Sequence, residues 1–516
     1  MLTSGCHAVW FPPRPPLSTP PIRILFATPE CAPLVKTGGL GDVSASLPAA
    51  LARLGIDVRI LLPGYTQVLD ALPDATSIST IAARGSFPSA AILAASGPHD
   101  VPLLVLDCPS LYRRPGGPYQ DPQGRDWPDN ALRFGLLSRV AADLGCDSSP
   151  IEWRPDVVHC NEWQTGLTPV YLAYAKGVRA ASLITIHNLA FQGLFEPKYL
   201  PELGLPPSSF SIDGLEYYGK LSFLKGGLRY ADAITTVSPT YAEEIQSDPL
   251  GFGFHGLLAA RRDVLTGILN GIDSDLWNPA TDGLIPFRYD VRTLDAKHWN
   301  KRALQNALGL AAEDAIPLFG VVSRLAHQKG TDLLVAIAPR LAALPAQLVV
   351  QGTGDAETQR MLVAVAAQFP GRIAVRIGFN EPLAHLIEAG ADSFLMPSRF
   401  EPCGMNQMFS QRYGTPPVAR ATGGLIDSVV DCTPRSLADG TATGFLFRDA
   451  GAEDFLAATE RATAAYRDPP TWRALQRNGM ARNFGWDASA DKYAEIYRRI
   501  ASRAPSTGRP ALRSTP

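Results

Sequence analysis

Short runs of uninterrupted apolar residues recur along the chain, each followed by a stretch with helical spacing. The first half carries them at Ile22–Ala27, Val58–Leu62, Leu103–Leu106, Val157–His159, Leu183–His187 and Ala233–Val237. The second half carries them at Leu318–Ser323, Leu348–Gln351, Ile373–Ile377, Ser393–Met396 and Pro417–Ala419. Runs that stay apolar instead of alternating predict parallel strands covered on both faces. Strand–helix alternation over this length predicts doubly wound α/β sheets. The pattern restarts near residue 317, after a Pro- and Gly-containing stretch from Asn270 to Pro286. The expectation is therefore two Rossmann-like domains, hinged around 255–290 and facing an interdomain cleft. In such sheets ligands sit at the carboxyl ends of the strands.

Composition agrees and narrows the field. A chain of 516 residues, 46% apolar and 19% charged, is too long for one core and too apolar for disorder. A formal net charge of -2 and the lack of any Lys/Arg-rich run give no electrostatic case for nucleic acid or an anionic membrane. Seven scattered cysteines without a CxxC pair argue against a zinc site or a disulfide framework and suit a reducing cytoplasmic compartment. The apolar cluster Ala8-Val-Trp-Phe11 is too short for a signal segment or a membrane span. Residues 1–20 are expected to be a flexible leader, and 503–516 a loop-like tail.

Six strand ends carry candidate chemistry. After the first strand comes Glu30-Cys-Ala-Pro-Leu-Val-Lys36-Thr-Gly-Gly-Leu-Gly-Asp42. Its glycines would let the backbone approach a ligand and aim N–H groups at an anion, with a helix N-terminus behind. A tight turn with a solvated lysine fits the same spacing. It is neither the G-x-G-x-x-G fingerprint nor a Walker A loop. After the strand at 318–323 comes Ser323-Arg324-Leu-Ala-His-Gln-Lys329-Gly330, where two cations suit a diphosphate. Taken alone, two surface cations would read the same way. Pro397-Ser-Arg-Phe-Glu401-Pro-Cys403-Gly404 places a glutamate in an apolar turn, and Ala421-Thr422-Gly423-Gly424 repeats a small-residue entry into a helix. In the first half, Asn161-Glu162-Trp163 and His187-Asn188 close two strands. Asp273-Ser-Asp275 has metal-transferase spacing but reads better as turn chemistry, and no histidine pair has metal-ligand spacing.

In order and nearly end to end (22–500), these segments resemble the bacterial and plant glycogen/starch synthases that use ADP-glucose. The matching stretches include Lys36-Thr-Gly-Gly39, His187-Asn-Leu-Ala-Phe-Gln-Gly193, Val237-Ser-Pro-Thr-Tyr-Ala242, Leu269-Asn-Gly-Ile-Asp273, Ser398-Arg-Phe-Glu-Pro-Cys-Gly404 and Thr422-Gly-Gly-Leu425. The resemblance implies a GT-B fold of two Rossmann-like domains. It places an acceptor-side domain at 21–265 and a nucleotide-sugar domain at 266–485, with a helix at 486–502 crossing back to the first domain. The implied reaction is glucosyl transfer from ADP-glucose to the non-reducing end of an α-1,4-glucan with retention, without metal or organic cofactor.

By position, Arg324 and Lys329 would hold the diphosphate, Glu401 would bind the transferred glucose, and His187 would sit beside the reacting sugar. The resemblance also places Lys36, Gly38, Gly39, Asn270, Gly354, Phe379, Cys403, Gly404, Thr422 and Gly423 on ADP-glucose, with Phe379 against the adenine. Asp42, Tyr119 and Glu162 fall on the acceptor side. Three departures stand out: Glu162 replaces the usual Asp, Asn406 replaces a common threonine, and Phe409 stands where other retaining transferases carry a second glutamate. The competing readings are a same-fold transferase with a small sugar acceptor and a non-catalytic glucan-binding paralogue. The joint presence of Lys36, His187, Arg324, Lys329 and Glu401 speaks against the second.

Overall fold

The structure, a computed structural model, describes residues 21–502; the expected leader and tail lie outside them. The described chain forms two compact units. Residues 21–236, 245–268 and 486–502 make the first, and 237–244 with 269–485 make the second.

In the first unit the strands are β1 (Arg23–Ala27), β2 (Asp57–Pro63), β3 (Thr76–Ile81), β4 (Ala90–Ser96), β5 (Pro102–Asp107), β6 (Val157–Asn161), β7 (Ala181–Ile186), β8 (Leu194–Phe195), β9 (Glu216–Tyr217), β10 (Lys220–Ser222), β11 (Ala233–Thr236) and β12 (Leu265–Gly267). Nine of them form one sheet in the order β12-β11-β7-β6-β1-β2-β5-β4-β3, while β8, β10 and β9 make a small separate sheet. Every residue of β6 and β7 is buried, which is why both read as continuous apolar runs. The edge pairs β3–β4 and β4–β5 are antiparallel. The apolar-run criterion passed over β3 because Thr-Ser-Ile-Ser-Thr-Ile is mostly polar and stays partly exposed.

The helix Asp487–Ala501 packs on this unit. Its Tyr497 hydroxyl lies 2.7 Å from His159 Nδ1, and Thr185 Oγ1 holds Nε2 at 2.6 Å. Full burial keeps the His159 pKa well below its ordinary value, so this histidine is a neutral structural strut.

The second unit has β13 (Leu318–Leu325), β14 (Gln347–Gly354), β15 (Ile373–Ile377), β16 (Ser393–Met396), β17 (Pro417–Arg420) and β18 (Phe445–Phe447). They are all parallel, in the order β15-β14-β13-β16-β17-β18. Alternate residues of β13 serve opposite faces. Phe319 and Val321 join Leu334, Ile337 and Phe455 on one side, and Leu318 joins Ile387, Phe394 and Leu425 on the other. The strand order reverses between β13 and β16, and the sheet rule places a ligand crevice at their carboxyl ends.

One short segment departs from the expected boundary at 265. Val237–Glu244 belongs with the second unit. Thr240 donates through its amide and hydroxyl to Asp427 (2.9 and 2.6 Å), and Ser238 Oγ donates to Pro402 O at 2.6 Å.

Candidate active site

Residues from the loops after β1, β6 and β7 gather at the switch point of the first sheet. Glu30, 3% exposed, organises the glycine loop. Its Oε2 accepts from Thr37 N (2.6 Å) and Gly38 N (3.3 Å). Its Oε1 accepts from Thr37 Oγ1 at 2.6 Å and from the Tyr119 hydroxyl. Two amides of the loop thus meet a carboxylate of the chain itself, where the glycine spacing had suggested that they face an external anion. Gly38 caps the helix Gly39–Arg53, with open space where a Cβ would stand. Lys36 donates to Asp42 Oδ1 at 2.7 Å and remains half-exposed.

Glu162 sits after β6 at φ 63°, an uncommon region for a residue with a side chain. Its Oε1 accepts the amides of His187 (2.5 Å) and Asn188 (2.6 Å). Burial outweighs these bonds and pushes the carboxyl pKa up to about 8. Desolvation likewise pushes the His187 pKa down to about 3, while its Nε2 lies 3.0 Å from Asn161 Oδ1. His187 is therefore neutral at physiological pH and can orient a hydroxyl but brings no charge.

In the second unit Lys329 and Glu401 pair at the β13/β16 switch point, and Arg324 stands near the end of β13. Gly330 makes this possible: its φ is +64°, and a Cβ there would stand 2.0 Å from Pro397 O. The turn after β13 can therefore press against the turn after β16. Lys329 Nζ donates to Glu401 Oε2 at 2.5 Å, and Ser398 Oγ donates to the same oxygen at 2.9 Å. Glu401 is 4% exposed, whereas Arg324 is exposed and reaches Gln328 Oε1 at 3.4 Å.

Asn270 is buried beside this loop, and its backbone amide meets the Cys403 thiol. Its Oδ1 has no hydrogen-bond partner among the described residues. Burial pushes the Cys403 thiol up to about 12, so it stays protonated. Gly404 takes φ +68° in the same turn. Gly354 ends β14 with a Cβ position 2.2 Å from Leu325 O, and Phe379, 72% exposed, follows β15.

Thr422 and Gly423 are placed differently from the rest. Both are buried, and Thr422 Oγ1 (2.9 Å) and Gly423 N (3.0 Å) donate to Glu244 Oε1. Added Cβ atoms on Gly423 and Gly424 would fall 2.0 Å from Glu401 O and 2.1 Å from Cys403 O. These glycines let the helix entry press against the Glu401 turn. Asp273 Oδ1 accepts the amides of Asp275 and Leu276, the turn chemistry expected of that pair.

Sequence reasoning quoted Glu30 and Asn161 within their motifs but gave them no role, and it passed over Glu244. For Glu30 the signal was present: an acidic residue between Pro29 and Cys31, directly past a buried strand, is the pattern that singled out Glu401.

Comparison with known proteins follows the same division. The starch synthase catalytic domain matches residues 23–260, and the glycosyl transferases group 1 family matches 307–479. A glycogen synthase of Nitrosospira multiformis is 58% identical over 487 residues, covering 94% of this chain and 98% of its own. One from Methylococcus capsulatus is 51% identical over 479 residues, covering 92% and 96%. Among solved structures, the catalytic domain of starch synthase IV from Arabidopsis thaliana, bound to ADP and acarbose, superposes with a TM-score of 0.82 at 33% identity. That match covers 94% of this chain and all of the other.

Proposed function

The chain belongs to the glycogen and starch synthases, a glycosyltransferase family with the GT-B fold, and from that premise we propose that it extends an α-1,4-glucan with glucose from ADP-glucose, retaining configuration, in the cytoplasm. The observation that carries the site assignment is the Lys329–Glu401 pair at the switch point of an all-parallel sheet, with Arg324 near the end of the adjoining strand β13. Transfer must stabilise an oxocarbenium-like sugar and a diphosphate that gains negative charge as it leaves. Arg324 offers a fork of donors to phosphate oxygens, and Lys329 a compact charge. Glu401, held by Lys329 and Ser398, is oriented to accept hydroxyls of the transferred glucose.

Asn270 supplies a buried, unpartnered carbonyl oxygen that a sugar hydroxyl would satisfy. Gly354, Cys403, Gly404 and Phe379 complete the donor assignment, with the exposed Phe379 ring available to the adenine. Lys36, Gly38 and Gly39 are assigned to the donor as well, and His187 to the reacting sugar as a neutral hydrogen-bonding group. Tyr119, Asp42 and Glu162 are assigned to the acceptor side. Thr422 and Gly423 act through the Glu401 turn, since their own polar groups meet Glu244.

Incorporation of labelled glucose into glycogen, run in parallel with ADP-glucose and UDP-glucose, tests the reading. Faster transfer from ADP-glucose is expected. Equal rates overturn the donor assignment, and no transfer from either overturns the activity.

A further inference from the structure

The hairpin joining β9 to β10 breaks a rule of turn chemistry. Tyr218 and Gly219 both take positive φ (48° and 79°), the conformation of a two-residue hairpin loop that favours Asn-Gly or Asp-Gly. A bulky aromatic in the first position is a conformational outlier. Packing does not explain it, because Tyr218 is 82% exposed. Phe252, nearby, is a second non-glycine residue with positive φ (44°). Its carbonyl accepts from the Tyr217 hydroxyl at 2.6 Å and from Gln192 Nε2 at 2.8 Å. Gly253, at φ +82°, leaves room for that tyrosine: a Cβ there would stand 2.1 Å from its hydroxyl oxygen. Such strain persists where the surroundings enforce it, and it clusters at ligand-binding positions.

Tyr217 and Tyr218 stand edge to face at 4.7 Å and border an open groove of about 530 Å³. Ile212, 81% exposed, lies on the same groove, as do Glu216, Lys225 and Arg229. The volume falls within the range of ligand sites. The polar groups are held in place. Glu216 Oε1 accepts the Gly219 amide at 2.8 Å, Lys225 Nζ donates to Ile212 O at 2.7 Å, and Arg229 Nε donates to Asp213 O at 2.9 Å. A pyranose presents a C–H face and a rim of hydroxyls, and this groove presents aromatic rings beside fixed charged groups. Charges of both signs at its rim match a neutral polyhydroxyl chain better than an anion.

We propose that this groove is a secondary binding site for α-1,4-glucan, separate from the Glu30–Glu162–His187 cluster, with Tyr218 as its stacking platform. The proposal rests on the synthase reading of the chain. Bound there, a polymer would be held near the enzyme at high effective concentration, whereas a short oligosaccharide would gain nothing.

The test compares Tyr218→Asn and Tyr218→Phe with the unchanged protein, using glycogen and maltotriose as acceptors. Asn suits the turn, so Tyr218→Asn should keep or raise the unfolding temperature, which excludes misfolding as the cause of any loss. With ADP-glucose, Tyr218→Asn is expected to raise KM for glycogen about tenfold, with kcat unchanged. Its KM for maltotriose should stay the same, and its retention in glycogen-containing native gels should fall. Tyr218→Phe should retain most glycogen affinity. Unchanged KM and retention in Tyr218→Asn overturn the proposal. An equal rise in KM for maltotriose also overturns it, because the groove would then be part of the acceptor site proper. Failure of the unmodified protein to transfer glucose counts against the synthase reading, and glycogen retention in the native gels would still test the groove.

Discussion

Replacing Glu162 by Gln should remove a pH-dependent cost from the folded state. Burial raises this carboxyl from 4.5 to about 8 even though it accepts three backbone amides. Between those two values the folded chain holds the proton and the unfolded chain does not. Folding therefore takes up a proton, and stability falls as pH rises through the window, levelling off above about 8. The interval from 4.5 to about 8, at about 1.36 kcal/mol per pH unit, sets an upper limit of about 5 kcal/mol. Gln reproduces the neutral acid: its carbonyl oxygen can accept from His187 N and Asn188 N, and its amide replaces the O–H. Urea unfolding followed by tryptophan fluorescence, with Trp163 adjacent in sequence, should be run at pH 5, 6.5 and 8.5. Relative to the unchanged protein, the variant should gain up to a few kcal/mol between the first and last pH. His187 titrates with the opposite sign, losing stability as pH falls below about 6.5, but it is common to both proteins and cancels in the difference. Parallel stability curves for the two proteins would refute the argument.

Arg324→Ala and Lys329→Ala should each lower kcat with ADP-glucose about 10²–10³-fold in the incorporation assay; full turnover in either removes that residue from the chemistry. Lys36→Ala should reduce turnover more than it weakens ADP binding measured by calorimetry, and equal losses would make it a plain binding residue. Because the His187 pKa is pushed down to about 3, kcat/KM should show no His187 ionisation near pH 6.5; a limb there that disappears in His187→Ala contradicts its neutral role. Gly423→Ala puts a methyl 2.0 Å from Glu401 O at φ +45°, so thermal unfolding should register a loss on the order of 3 kcal/mol, with turnover reduced as the Glu401 turn shifts.

The fold was legible because parallel strands buried on both faces leave a signal that survives in one sequence. All six strands of the second sheet except β18 carry an apolar run. β18 is only three residues long and β3 is mostly polar, so these two lack that signal, whereas β4 carries the unbroken run Ala90-Ala-Ile-Leu-Ala-Ala95 and was passed over despite it. The boundary near Val237 was invisible for another reason. The bonds that attach 237–244 to the second unit run to Pro402, Thr422, Gly423 and Asp427, more than 150 residues away, and no local pattern encodes them. The positions of Arg324 and Lys329, at and just past the end of an inner strand, were legible because strand ends at a switch point are positions the topology itself selects.

What the sequence hid is the chain's own use of its exposed amides. Glycine loops and strand ends look alike whether their N–H groups await an external anion or an internal one. Here three carboxylates supply the internal one: Glu30 on Thr37 and Gly38, Glu162 on His187 and Asn188, and Glu244 on Gly423. A buried amide left unpaired costs about 1–3 kcal/mol, so each carboxylate fixes a loop that would otherwise need solvent. A fixed loop holds its neighbours. Glu30 sets the segment that carries Lys36, Glu162 sets the backbone of His187, and Glu244 sets the helix entry pressed on the Glu401 turn. The carboxylates thus hold the frame on which Lys36, His187 and the Glu401 turn are presented. Gly38 fits this frame: its amide is engaged by Glu30, yet the space beside its Cα is open, so a ligand would approach a surface that is already shaped.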